Sequence, residues 1–365
     1  MSEFTAMKVM GPDEWESVKL QFSGHVLCGS GRFSNVYATK LVSPETREVA
    51  IKNIWSDASS ATENYIEVKI LSHLFHPAIS NLLYFYTRNA NEKRIHCLIL
   101  DYLPTDMGKL KEKGVKFDTL DAKLYSYQLF AACAYLAHMK VVHLDIKPQN
   151  IILDNEAGFL KLADFGNARR LETTEKKGNS YQVTRFYRPP ELLFGGENFT
   201  PAIDLWSAAC VSFEFFANRT LFKGKDTQDQ LGLVVNVLGY PDTEDIKAMG
   251  VKRPRIARRP ARGLEKFTSN TLDGPTYDFL KSLIVMNPAK RKPAKDVLLM
   301  PIFDVLKVKP ATVRGNGRPL PSVEAYSKME HERLAPSEAQ MRVDKSTSEV
   351  AKIKKESSTS SSEND

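Results

Sequence analysis

The stretch that most constrains this chain is VVHLDIKPQNIILD, Val141 to Asp154, followed after a short hairpin by LKLADFG, Leu160 to Gly166. Each run sets charged and amide side chains beside an apolar, strand-like segment. Asp145, Lys147 and Asn150 fall within six positions of one another, and Asp164 comes soon after. Packing does not ask for Asp, Lys and Asn next to Val-Val-His and Ile-Ile-Leu. Phosphoryl transfer does: it needs a carboxylate to orient a hydroxyl, a cation near the moving phosphate and oxygen ligands for Mg²⁺.

The rest of the chain has room for such a site. Its 365 residues can bury a large core, in two lobes or domains plus a tail. Hydrophobic and charged fractions of 42% and 26% are those of an ordinary soluble globular protein. The net charge of +7 is too small to choose between acidic substrates, nucleic acid and membrane surfaces. Cys28, Cys97, Cys133 and Cys210 are far apart and form no C-x-x-C pair, which argues against a zinc site or disulfide scaffold and suits a reducing compartment. The N-terminus lacks a basic-then-apolar signal pattern, carries Ser2 rather than a myristoylated glycine, and no apolar run approaches transmembrane length. The expected location is the cytoplasm, with the nucleus also open, and no membrane partner is expected.

Residues 1–21 read as an N-terminal extension of mixed polarity. Phe22 to Leu41 then reads as strand, Gly-rich turn and strand, with Gly29 and Gly31 in the turn. Glycine lets backbone approach a ligand closely, although a lone G-x-G also suits a plain hairpin. Arg47 to Trp55 is a third strand, in which Lys52 by itself could be a solvated edge lysine. Ser59 to Leu74 has helical periodicity through Ile66, Ile70 and Leu74, with Ser60 or Thr62 as a cap, and carries Glu67, by itself a surface carboxylate. NLLYFYTRN and RIHCLILDYLP read as two more strands, and Leu120 to Lys140 as a long buried helix. Asn167 to Tyr181 has loop composition. From Pro201 onward the pattern is helical: AIDLWSAACVSFEFFA is apolar on most sides, QDQLGLVVNVLG and GPTYDFLKSLIVM follow, and a last signal lies near Pro301 to Leu306. A strand-rich segment thus precedes a helix-rich one, which argues for an α+β protein with two lobes.

The ordered series GSGRFSNV, VAIK, Glu67 in a helix, HLDIKPQN, DFG, RPPE, DLWS and NPAKR resembles the eukaryotic protein kinase family across residues 22–307. It displaces the bland readings of Lys52 and Glu67. Within kinases the chain is similar to the CMGC group, and most to glycogen synthase kinase-3, through LILDYLPTD, DIKPQNIILD, LKLADFGNARRL, NSYQVTRFYRPPELLFG, AIDLWSAACV, DQLGLVVNVLGYPDTEDI and NGRPLP at Asn316–Pro321. The resemblance implies a bilobal protein kinase fold, with a strand-rich N-lobe at 22–103 and a helix-rich C-lobe at 104–307. A C-terminal extension at 308–335 follows. The polar, aromatic-free tail at 336–365 is expected to be disordered.

The resemblance also implies roles. Cys28, Gly29, Ser30, Gly31, Arg32, Phe33, Ser34, Asn35 and Val36 would form the loop over the ATP phosphates. Lys52 would bind the α- and β-phosphates and pair with Glu67, while Asn150 and Asp164 would hold Mg²⁺. Asp145 would orient the protein hydroxyl and accept its proton, and Lys147 would steady the γ-phosphate. Adenine would sit between Val36 and Ala50 above and Ile152 below, against the backbone of Asp101 to Leu103, with Leu100 as gatekeeper. Glu191 and Arg291 match a structural ion pair, and Asp204 a buried carboxylate that supports the catalytic loop. The D-I-K-P-Q-N form resembles serine/threonine kinases, so the implied partners are proteins with Ser or Thr acceptors. Tyr181 matches an activation-segment tyrosine that the family autophosphorylates, with Arg185 and Arg188 nearby.

Three positions depart from the family pattern. The third loop glycine is Ser34. The arginine before the catalytic aspartate, which binds an activation-segment phosphate in most regulated kinases, is Leu144, and leucine has no side-chain donor. Of the three basic residues with which glycogen synthase kinase-3 holds a phosphate already on its substrate, the positions here read Ile66, Leu144 and Arg169. Strict dependence on primed substrates is therefore not expected. The alternative of a pseudokinase scaffold rests on Leu144 and Ser34 alone. The basic stretch Lys252–Arg262 falls where the family binds scaffolds, and reads either as a solvated loop, a nuclear import signal or a dock for a scaffold or acidic partner. Nucleic-acid binding is not expected, since that stretch lacks interleaved aromatics.

Overall fold

The computed structural model describes residues 3–31, 33–55, 65–90, 93–171, 183–253, 256–268, 272–308 and 312–328. The first lobe is built from β1 (Glu3–Gly11), β2 (Glu14–Ser30), β3 (Ser34–Ser43), β4 (Arg47–Trp55), helix α1 (Tyr65–Leu71), β5 (Leu82–Ala90) and β6 (Lys93–Asp101). Its strands run antiparallel in the order β1-β2-β3-β4-β6-β5, and the sheet closes into a barrel where Met7 and Lys8 pair with Phe85 and Tyr84. Residues 3–21, of mixed polarity in sequence, are thus two strands joined by a turn at Pro12 and Asp13. β1 is one limb of a hairpin with the long β2, and Ala6 and Leu20 enter the barrel core.

Alternation along the strands explains both faces of this sheet. Val49 and Ile51 of β4, with Cys97 and Ile99 of β6, point into the barrel. The intervening positions serve the other face, where Leu98 and Leu100 join the main core of the molecule and Lys52 lies buried. The periodicity of α1 predicts a helix through Leu74. The regular helix ends at Leu71, and the apolar pattern continues through tighter turns in which His73 and Leu74 donate to the carbonyls of Ile70 and Leu71.

The second lobe opens with β7 (Thr105–Asp106), α2 (Met107–Glu112) and α3 (Thr119–His138). Asp106 caps α2 by accepting from the amide of Lys109, and Asp118 caps α3 by accepting from Asp121. Short strands follow: β8 (Val141–Val142), β9 (Ile151–Asp154), β10 (Phe159–Leu162) and β11 (Arg169–Arg170), paired as β10-β9-β7 and β11-β8. The remainder is helical: α4 (Pro190–Leu193), α5 (Pro201–Ala217), α6 (Thr227–Leu238), α7 (Thr243–Met249), α8 (Glu265–Thr268), α9 (Gly274–Lys281) and α10 (Ala294–Val297). α5 is apolar on most sides because it runs through the core; Trp206, Phe213 and Phe215 are fully buried. The signals after Gly274 and near Pro301 differ in form: α9 stops at Lys281, and Pro301–Lys307 is a 3₁₀ helix. The architecture is the expected two-lobed α+β arrangement, strand-rich first and helix-rich second.

Two buried arginines tie distant parts of the second lobe together. Arg291 makes a two-pronged ion pair with Glu191 at 2.7 and 2.6 Å, donates to the carbonyl of Ala202, and lies over the Trp206 ring. Arg314, just upstream of NGRPLP, is also buried. It donates to Asp121 and Tyr125 on α3 and to the carbonyls of Asn155 and Glu156 in the β9–β10 turn. Residues 312–328 are therefore packed structure.

Candidate active site

The roof of the cleft is the turn between β2 and β3, closed by the Gly31 amide donating to the Ser34 carbonyl at 2.8 Å. A Cβ built on Gly29 would meet nothing nearer than Val36 at 4.0 Å. Gly29 lies at a register shift in the β2–β3 pairing, and its bare backbone leaves room for close approach of a ligand. Cys28, Gly29 and Ser30 end β2, Ser34, Asn35 and Val36 begin β3, and Phe33 is exposed at the tip. Arg32 lies outside the described residues. Strand register places Val36 opposite Lys52, and Ala50 opposite Leu100.

Beneath the roof, Lys52 Nζ donates to both carboxylate oxygens of Glu67, at 2.8 and 2.7 Å, and to Asp164 Oδ1 at 2.8 Å. Burial alone would lower the lysine pKa; the charges of Glu67 and Asp164 outweigh it and raise it, so Lys52 stays cationic. Burial raises the Glu67 pKa despite Lys52. The Lys52 charge holds the carboxyl of Asp164 down at about 2. Glu67 also accepts from the Phe165 amide, which fixes helix α1 to the segment after Asp164. Asp164 itself adopts a left-handed backbone, φ 67°, at the end of the β10 run.

The second group sits on the loop between β8 and β9. Asp145 Oδ2 accepts from Lys147 Nζ at 2.6 Å and from Asn150 Nδ2 at 3.2 Å, while Oδ1 accepts from the Thr184 hydroxyl at 2.7 Å. Asn150 Nδ2 also donates to the Asp145 carbonyl, so the side-chain oxygen of Asn150 is the atom that could hold a metal. His143 is buried and its pKa is lowered by that burial, so the ring is neutral. Its Nδ1 accepts from the Asp145 amide and its Nε2 donates to the carbonyl of Ala163, one residue before Asp164. One imidazole thus spans the two catalytic segments. Asp204 accepts from the amides of His143 and Leu144 at 2.7 and 3.0 Å; burial, only partly offset by those bonds, pushes its carboxyl up to about 7.

At the back of the cleft, Leu100 is buried, and Tyr102 and Leu103 follow β6 without regular structure. The Asp101 side chain is a strut: it takes hydrogen bonds from Arg47, Asn81 and Lys161. Burial would raise its pKa, but Lys161 and Arg47 hold it below the usual carboxylate range. Ile152 lies on β9, opposite Lys161 and Asp106.

Three residues that sequence reasoning did not single out belong to this site. Thr184 bonds Asp145 across 39 positions, so no local pattern distinguishes it from other threonines. Lys109 Nζ reaches the carbonyl of Cys28 at 2.8 Å and links α2 to the roof. Asp106, at its side, is signalled only as a helix cap. Next to the catalytic loop an open cavity of about 400 Å³ is lined by Asp145, Lys147, Thr184, Arg185 and Thr227 among others. Arg185 donates to the carbonyls of Lys225 and Gly224, and Arg188 donates twice to the carbonyl of Val183. Tyr181 lies outside the described residues.

The chain matches the family description "Protein kinase domain" over residues 22–303. It is 61% identical over 323 residues to gskl-1 of Caenorhabditis elegans, covering 88% of this chain and 89% of that protein. It is 38% identical over 292 residues to protein kinase gsk31 of Schizosaccharomyces pombe, covering 76% and 74%. It is 34% identical over 337 residues to serine/threonine-protein kinase RIM11/MSD1 of Saccharomyces cerevisiae, covering 89% of each. With the two-lobed fold and the cleft between its lobes, these likenesses make the chain a member of the serine/threonine protein kinase family, in its glycogen synthase kinase-3-like group.

Proposed function

We propose that this kinase transfers the γ-phosphate of ATP to serine or threonine hydroxyls of proteins and does not require a phosphate already on the substrate. The observation that carries the unprimed reading is the state of three positions. Ile66 is a half-buried side chain on α1 packed against the main core. Leu144 is fully buried among apolar side chains. Arg169 Nη1 donates to the carbonyls of Asn167 and Ala168. A phosphate dianion needs convergent charge-assisted donors, and this trio offers one guanidinium that already serves the backbone.

In this reading Lys52, held by Glu67, binds the α- and β-phosphates under the Gly29–Gly31 turn, and adenine lies between Val36, Ala50 and Ile152 along the backbone of Asp101 to Leu103. Asp164 and the side-chain oxygen of Asn150 form a hard-oxygen pair that suits Mg²⁺. When bound, that ion neutralises charge developing on the phosphate oxygens. Asp145, fixed by Lys147, Asn150 and Thr184, orients the incoming hydroxyl and takes its proton. Lys147 then turns to the moving phosphoryl group. Tyr181 is the proposed autophosphorylation site, and the basic Lys252–Arg262 stretch the proposed dock for a scaffold or acidic partner. No helix among the described residues is long and apolar enough to cross a membrane.

The test compares matched peptides with and without a phosphoserine downstream of the target, at the family's usual spacing. Similar kcat/KM on both is the expected result. A preference of more than about a hundredfold for the primed peptide, close to 3 kcal/mol of selective binding, defeats the unprimed reading.

A further inference from the structure

Leu144 has a backbone that leucine rarely adopts, φ 66°, and a side chain with no exposure to solvent. The strained conformation is held from below, because Asp204 accepts from the Leu144 and His143 amides together. It is held from above by packing. Leu144 shares an apolar cluster with Val142, Val183, Leu192 and Ile203, and Phe199 covers its edge. Those residues come from β8, the end of the activation segment, α4 and α5. The cluster is separate from both the main core and the barrel core. It therefore fastens one thing to another: the catalytic loop to the end of the activation segment.

The next residues show what that fastening sets. Arg188 holds the Val183 carbonyl with Nε and Nη2 at 3.0 and 2.8 Å. Thr184, adjacent to Val183, bonds Asp145 Oδ1. Asp145 is adjacent to Leu144. Two neighbouring residues on one segment thus join two neighbouring residues on the other, Val183 and Leu144 through a shared apolar cluster and Thr184 and Asp145 through a hydrogen bond.

We propose that Leu144 is a positioning residue. The apolar cluster it shares with Val183 assembles the substrate end of the activation segment, and thereby orients Asp145, with no phosphate on that segment. The inference rests on the catalytic reading above and concerns how that site is switched on. A phosphate on Tyr181 is compatible with it but is not what holds Val183 and Thr184 in place.

The test uses the full chain, treated with a tyrosine and serine/threonine phosphatase and checked by mass spectrometry, in a peptide phosphorylation assay. Dephosphorylated wild-type protein should keep its kcat within about twofold. Leu144→Ala should lower kcat by roughly tenfold to a hundredfold, the scale set by misplacing a catalytic group, with the KM for ATP nearly unchanged. Leu144→Met, which refills the volume, should restore it. Val183→Ala should reproduce the loss, and the double variant should be no worse than either single one, because both disrupt the same cluster. ATP-analogue binding and a thermal melt on each variant separate loss of positioning from loss of fold. Wild-type activity that collapses on dephosphorylation overturns the proposal, as does a Leu144→Ala protein with full kcat, or additive effects of the two alanines. Wild-type protein with no phosphate transfer in any form overturns the catalytic reading itself.

Discussion

His76 donates its Nε2 proton to the carbonyl oxygen of Tyr326 across 3.1 Å, and so ties the C-terminal segment to the loop between α1 and β5. The tautomer follows from the other nitrogen, since Nδ1 accepts from the Ala78 amide. The ring is stacked on Tyr135 of α3, with centroids 4.9 Å apart, and Tyr326 approaches it edge-on. The same loop pairs with β10: Leu162 donates to the Ala78 carbonyl, and Ser80 donates to that of Leu162, two residues before Asp164.

Removing the Tyr326 ring should therefore loosen the joint behind the cleft. Tyr326→Ala is expected to lower the unfolding free energy by about 3–5 kcal/mol, as for other buried aromatics. His76→Ala is expected to cost about 1–3 kcal/mol through the carbonyl left without its donor. The two should be less than additive in a denaturant double-mutant cycle, because they share one contact. Full additivity would mean that the segment is anchored elsewhere, Arg314 being the alternative.

Lys52 should be irreplaceable for chemistry, and its loss also leaves the buried Glu67 carboxyl without its cation, at some expense to the stability of the lobe. Lys52→Met removes the cation between Glu67 and Asp164, and kcat/KM should fall by roughly a hundredfold to a thousandfold, as when one preorganised charge stabiliser is deleted. Circular dichroism and the melting temperature check that the barrel persists. Activity within tenfold of the parent would remove Lys52 from the catalytic set.

That the proposed catalytic groups would cluster was legible in sequence, and the reason is physical. Asp145, Lys147 and Asn150 must share one short loop, and Asp164 must end the next strand, so their spacing is local and fixed. Lys52 and Glu67 lie 15 positions apart and are legible only as members of an ordered series. What was not legible is long-range or ambiguous in pattern. Thr184 meets Asp145 only through the fold, and Arg314 meets Asp121 across 193 positions. β1 gave no strand signal because it buries only part of one face in a closing barrel. α1 and α9 look longer in sequence because apolar spacing continues into tighter turns that bury the same residues.

The Arg291–Glu191 pair should dominate the stability of the second lobe among its ion pairs. Both side chains are almost without solvent contact. Arg291→Met leaves the Glu191 carboxylate buried and the Ala202 carbonyl without its donor, and should cost about 3–5 kcal/mol. Lys290→Ala, which breaks the exposed pair with Glu244, should leave the unfolding curve unchanged. Equal effects from the two substitutions would contradict the assignment.

Asp204 should give the catalytic loop a pH-dependent stability. Its carboxyl sits near 3.8 in the unfolded chain and at about 7 in the fold. Between those values the folded protein holds a proton that the unfolded chain has released, so stability is fully present below the lower value and is lost as pH rises through the upper one. Asp164 acts in the opposite direction: held at about 2, its contribution is present above 3.8 and is lost only as pH falls toward 2. The two windows do not overlap, so a measurement between pH 5 and 8 isolates Asp204. Asp204→Asn offers one acceptor oxygen to the His143 and Leu144 amides where the carboxyl offers two, and should be less stable at the acid end of this range. The difference between wild type and Asp204→Asn cancels other titrating groups. It should shrink by up to about 1.4 kcal/mol per pH unit as pH rises toward 7, the limiting slope for one proton. A difference that stays flat across this range would place the Asp204 proton elsewhere.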